Sequence, residues 1–159
     1  MDSTRVLKVW RRLGGTALGR RLFSYAIGRT APYSGSVGGQ VLELEPGRCR
    51  VQVRDRRRLR NHLRSVHAIA LANAAELASG LAMLTSLPVE ARGIVTRIDV
   101  RYEKKARGTL VAASRSGAPS QVIGDMDHVV EAEVHDEAGE RVAIAQIHWR
   151  LGVRPEAAA

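Results

Sequence analysis

One cysteine, Cys49, stands among 159 residues, so no internal disulfide can form and a packed core must hold the fold. The scarcity of thiols fits a reducing compartment, and the expected location is the cytoplasm. Aromatic side chains make up only 4% of the chain. Base stacking on such rings is how single strands are usually gripped, so specific nucleic-acid recognition is poorly supplied. No phosphate-cradling loop or dinucleotide fingerprint occurs. His62, His128, His135 and His148 show no zinc-like spacing with one another or with Cys49. No metal and no resident cofactor are therefore expected. The N-terminal segment is interrupted by Arg5, Lys8, Arg11 and Arg12, so no signal peptide is expected either. Acidic residues are few, 16 against 25 lysines and arginines, and the formal charge of +9 attracts polyanions. Nucleic acid, an anionic membrane surface and a phosphate-bearing substrate all qualify on charge alone.

What is present is apolar and periodic. Apolar residues reach 45%, enough for one core, and the length suits a single domain over 1–159. Residues 4–28 read as helical. Val6, Val9, Trp10 and Leu13 fall on one side, and Gly14-Gly15 splits the segment in two. That stripe is expected to pack on the domain rather than lie on a membrane. Residues 1–29 form a helical extension and 30–39 a connecting loop. The period then becomes two. Leu42 and Leu44 lead into a turn at 45–48, and Cys49, Val51 and Val53 alternate with basic residues on the way back. Further strands are expected over 96–102, 109–115, 130–134 and 143–151, with a loose tail at 153–159. Short connections imply antiparallel neighbours.

Between the strand pair and the last four strands lies a segment, 66–84, that is apolar nearly all round. It is long enough to cross a bilayer, but His67, Asn73 and Glu76 within it argue against lipid exposure. Its place is inside the protein. The expected class is α+β: a curved antiparallel sheet of about six strands wrapped around one long central helix. Glu76 in so apolar a helix must be hydrogen-bonded, paired or neutralised, and ionisable groups held at that cost are often chemical.

The spacing of Asn61, His67 and Glu76, N-x5-H-x8-E, resembles the hotdog-fold acyl-CoA thioesterases, closest to the PaaI-like type or a related DUF4442-type branch. The runs 100–108 and 139–143 resemble that family's strand-and-turn signature and last hairpin, and the match spans 37–152. Where the family carries two glycines after the histidine, this chain has Ala68 and Ile69, whose Cβ atoms narrow the approach. The resemblance implies hydrolysis of acyl-CoA to free acid and coenzyme A, coenzyme A being part of the substrate. It implies a homodimer or dimer of dimers with a shared site, and no integral membrane association. Nine residues put His67 and Glu76 on opposite sides of a helix, about 13–14 Å apart along it. One chain cannot easily aim both at one carbonyl, whereas two copies with these helices side by side can.

The implied roles are as follows. Glu76 serves as general base or nucleophile, and the Ala68 N–H stabilises the oxyanion. Asn61 orients water or the carbonyl, and His67 holds the thioester or its loop. Asn73 is a hydrogen-bond partner of Glu76 or an interface residue. Lys104, Lys105 and Arg107 contact pantetheine or nucleotide. The basic run 54–64 offers a second anion surface. The competing readings are a non-catalytic acyl-CoA or lipid binder, a dehydratase, and a nucleic-acid module using the basic run.

Overall fold

The computed structural model describes residues 3–115 and 117–154. Two helices, α1 (Ser3–Leu13) and α2 (Ala17–Thr30), are separated at Gly14-Gly15, with the Thr16 hydroxyl capping α2 by accepting the Gly19 N–H at 3.0 Å. A one-turn helix α3 (Pro32–Gly35) stands where the sequence reads as loop. Pro32 at its first position explains it, because the fixed φ of proline suits a helix start. The hairpin β1 (Gln40–Glu45) and β2 (Arg48–Val53) precedes the long helix α4 (Ala68–Ser86). Then come β3 (Ala91–Tyr102), β4 (Leu110–Ser114), β5 (Met126–His135) and β6 (Arg141–Val153). Of the tail expected to be loose at 153–159, Val153 belongs to β6 and the Arg154 N–H donates to the Glu90 carbonyl at 2.7 Å, because β6 pairs with the start of β3; 155–159 lie outside the described residues.

The six strands form one antiparallel sheet in the order β1-β2-β4-β5-β6-β3. Helix α4 packs chiefly on β2, β4 and β5. Its side chains there are mostly small, with Ala74, Ala75, Ala78 and Ala82 almost fully buried, which lets helix and sheet approach closely. Val51, Val53, Leu110, Val134, Ala145 and Ile147 complete the core. The apolarity that would suit α4 to a bilayer is spent on the sheet. On α1 the inward residues are Val6, Leu7, Trp10 and Leu13, while Val9 faces out, correcting the expected stripe by one position. Trp10 meets Phe23 of α2 edge-on, with ring centroids 5.0 Å apart.

The two sheet edges differ. At β1 the Val41 N–H donates to Ser24 of α2 at 2.9 Å, so that edge is partly covered. At the other edge β3 pairs with β6 over its whole length, and no strand lies beyond it among the described residues. β3 begins at Ala91, ahead of the alternation at 96–102, because an edge strand exposed on much of both faces loses its period-two signal.

Cys49 is fully buried, and burial, helped by the Glu43 charge, pushes its thiol well above the ordinary cysteine range. The native protein is therefore expected to be silent toward a chromogenic disulfide reagent and to release one equivalent on unfolding. Rapid reaction of the native thiol contradicts this. The silence also makes free-thiol release a clean assay for this chain.

Candidate functional site

The start of α4 is built by a short, heavily bonded loop. After a 3-10 turn at Arg57–Leu59, Arg60 and Val66 bridge antiparallel. Asn61 closes the loop: its Oδ1 accepts from the Leu63 N–H at 3.0 Å, the Ser65 N–H at 3.2 Å and the Ser65 hydroxyl at 3.1 Å. The Asn61 carbonyl oxygen is thus committed to the backbone. His67 is tethered through its own N–H to the Leu59 carbonyl at 2.7 Å, and Val66 to the Ala106 carbonyl at 2.8 Å. His67 is the N-cap residue, exposed, with Nδ1 accepting the Ile69 N–H at 3.1 Å. The Ala68 N–H, first of the helix, is left without a partner among the described residues. It lies at the positive end of the α4 dipole. On the same residue the carbonyl accepts from the Tyr102 hydroxyl at 3.1 Å, which joins β3 to the helix start.

Glu76 lies two turns further on, half-buried. Desolvation pushes its carboxyl above the ordinary glutamate range, and a hydrogen bond from the Ser34 side chain of α3 partly offsets this. Ser34 is a partner that the sequence did not reveal, lying 42 positions away in a glycine- and serine-rich run. Asn73, expected beside Glu76, is turned elsewhere: its Nδ2 donates to the Tyr33 carbonyl at 3.4 Å. Residues three apart on a helix are neighbours, but α3 presents a backbone carbonyl to Asn73 and a hydroxyl to Glu76, which separates them. Ala68, Ala72, Glu76 and Gly80 recur every four residues and are all only partly buried, so this stripe of α4 stays accessible. A Cβ on Gly80 would lie 3.6 Å from Glu76 Oε1 and 3.9 Å from Trp149 Cζ2, ordinary contact distances. Gly80→Ala is expected to stabilise the fold by about 0.5–1 kcal/mol. If substrate occupies that space the variant also raises KM; thermal melting and steady-state kinetics on the same preparation check both.

The cations divide into two groups. Lys104 is bound by Asp136 at 2.8 Å and by Glu140, which ties the 103–109 turn to the β5–β6 hairpin and removes it as a free substrate contact. Lys105 and Arg107 remain exposed with no ion pair among the described residues. The second group was only partly legible. A cavity of about 840 Å³ between α2, α3 and the β1–β2 hairpin is lined by Arg21, Arg29, Arg54 and Arg56. Ser34, the partner of Glu76, and Leu77, its chain neighbour, also line it.

Residues 19–151 match the family described as domain of unknown function, DUF4442. Among solved structures, a structural-genomics protein is 32% identical with a TM-score of 0.81, over 97% of this chain and 100% of that one. A Pseudomonas aeruginosa protein of unknown function named "probable thioesterase" is 25% identical with a TM-score of 0.71, covering 80% of this chain and 91% of its own. The phenylacetic acid degradation protein PaaI of Thermus thermophilus, at 21% identity and a TM-score of 0.63, shares the fold over 75% of this chain and 97% of its own. No functionally curated protein matches. A family match over most of the chain, on a curved antiparallel sheet enclosing one long helix, makes this protein a member of the DUF4442 family within the hotdog-fold thioesterase superfamily.

Proposed function

We propose that the protein hydrolyses acyl-CoA thioesters to free acid and coenzyme A, at sites shared between two copies of the chain. The observation that carries this reading is Glu76: a carboxylate inside the apolar central helix, desolvated, held by one hydroxyl, on the accessible stripe of α4. A base works best when its pKa lies near the working pH, and burial moves Glu76 in that direction. In the proposed reaction water attacks the thioester carbonyl while Glu76 takes its proton. The tetrahedral oxyanion is received by the Ala68 N–H of the other copy, at the positive end of its helix. Collapse breaks the C–S bond, and the proton held by Glu76 passes to the departing thiolate. Asn61, whose oxygen is occupied, acts through its side-chain N–H groups. His67 fixes the helix start.

Two copies are required because Ala68 and Glu76 of one α4 stand about 12 Å apart along its axis. The uncovered β3 edge is the surface on which a second copy would pair. A panel of short, medium and aryl acyl-CoAs followed by thiol release tests the reading. Absence of turnover across the panel rejects it.

One observation favours a second reading. Ile69, 54% exposed in the first turn of α4, puts a branched side chain next in the chain to the Ala68 N–H, where the resembled family carries glycine. A non-catalytic acyl-CoA or lipid carrier is the corresponding function, and it would show ligand affinity with no thiol released.

A further inference from the structure

The cavity beside α3 has an electrostatic character that the reaction at Glu76 does not use. Arg21 and Arg29 reach it from α2, and Arg54 and Arg56 from the segment following β2. No aspartate or glutamate lines it. None of these four guanidinium groups makes a hydrogen bond or ion pair among the described residues, whereas Arg48, Arg50, Arg60, Arg97, Arg101, Arg141 and Arg150 all have carboxylate partners. A second observation lies at the rim, where Gly38 takes a φ of +64°. The position of its absent Cβ is 3.1 Å from Arg56 Nη1 and 3.2 Å from Arg58 Nη2. Both guanidinium groups therefore converge on the space beside Gly38 that a side chain would fill, with their nitrogens within about 6 Å of each other. Like charges gathered at a concave wall without a counter-charge form a site for a multiply charged anion, and arginine suits phosphate oxygens by its fork geometry. The basic residues are gathered around one concavity of about 840 Å³, which suits a small organic phosphate better than a long polymer needing an extended basic track.

We propose that this cavity binds the phosphate groups of a phosphorylated organic ligand, with Arg21, Arg29, Arg54 and Arg56 as its contacts and Arg58 at the rim. The ligand identified rests on the proposed function: through Ser34 the cavity adjoins Glu76, so the phosphate-bearing end of the thioester is the natural occupant. Arginines that hold a remote part of the substrate equally in ground and transition states lower KM without changing kcat.

The test compares coenzyme A, pantetheine (the same thiol arm without phosphates), inorganic pyrophosphate and a single-stranded oligonucleotide by calorimetry at 150 mM salt. The proteins are the wild type and the double variant Arg21→Gln/Arg56→Gln. Both positions are exposed, so folding is expected to persist. Coenzyme A should bind at least tenfold tighter than pantetheine, and the double variant should lose at least tenfold for coenzyme A and nothing for pantetheine. Pyrophosphate binding that depends on the same arginines supports a general phosphate site. Equal affinity for coenzyme A and pantetheine, unchanged binding in the variant, or tighter binding of the oligonucleotide overturns it. The two hypotheses fail separately. Arginine-dependent coenzyme A binding without thioester turnover removes the hydrolase and leaves the site, while turnover whose KM ignores the arginines removes the site and leaves the hydrolase.

Discussion

Glu76→Gln is expected to lower acyl-CoA turnover by about 10²–10⁴-fold, the usual contribution of a positioned general base. Gln keeps the shape and can still accept the Ser34 hydrogen bond, so substrate affinity should remain while the proton acceptor is lost. The wild type should show a rate that rises with pH through the raised Glu76 pKa, because only the ionised carboxylate takes a proton from water. Stability runs the other way. A carboxyl whose folded pKa exceeds its unfolded value holds its proton more tightly when folded. The folded state thus loses stability as pH rises from the ordinary glutamate value through the raised one, and the loss is complete above it. Gln abolishes that loss. Melting curves of the two proteins should therefore coincide most closely at acidic pH and diverge toward alkaline pH, with the variant the more stable. Full turnover in Glu76→Gln, or a stability gain independent of pH, removes Glu76 from the mechanism.

Ala68→Pro is expected to cost about 10²–10³-fold in kcat, the range for loss of one oxyanion donor, with the fold intact. Proline is well placed here. Ala68 is the first residue of α4, where a missing N–H breaks no helical bond, and His67 already has the extended φ −63°, ψ 141° that must precede proline. The shared site then makes a stronger demand. When Ala68→Pro and Glu76→Gln chains are unfolded together and refolded as a mixture, half the dimers are mixed. Each mixed dimer unites the sound Glu76 of one copy with the sound Ala68 N–H of the other at one of two sites. About a quarter of wild-type activity should return from two nearly inactive parents. No recovery in the mixture, despite mixed dimers shown by mass, rules out a site built from two chains.

Much of this architecture was readable along the chain. The two helices flanking Gly14-Gly15 and the β1–β2 hairpin follow from period and turn chemistry, since those signals are local. The sheet order does not: β3 and β4 are joined by a short link, yet β4 pairs with β2 and β3 lies at the far edge against β6, against the expectation that short connections join neighbours. β3 starts earlier than the alternation because Arg92, Gly93 and Ile94 are exposed in succession and impose no period-two pattern. Around the site the division is similar. Asn61, His67 and Glu76 stand out by spacing, but Ser34, Tyr102 and the orientation of Asn73 depend on which segment packs on α4. Lys104 looked free in the sequence because Asp136 and Glu140 lie more than thirty positions away.

By itself the sequence determined that a nearly all-apolar helix bearing one carboxylate must be enclosed by a sheet, since neither water nor lipid accommodates both features. What that carboxylate meets was set by packing: a hydroxyl from α3 on one side, the space over Gly80 on the other, and beyond Ser34 an open concavity lined by arginines that have no carboxylate partner among the described residues. The reason is physical. Periodicity encodes which face of an element is buried, whereas partners across a core are fixed by packing between segments far apart in the chain.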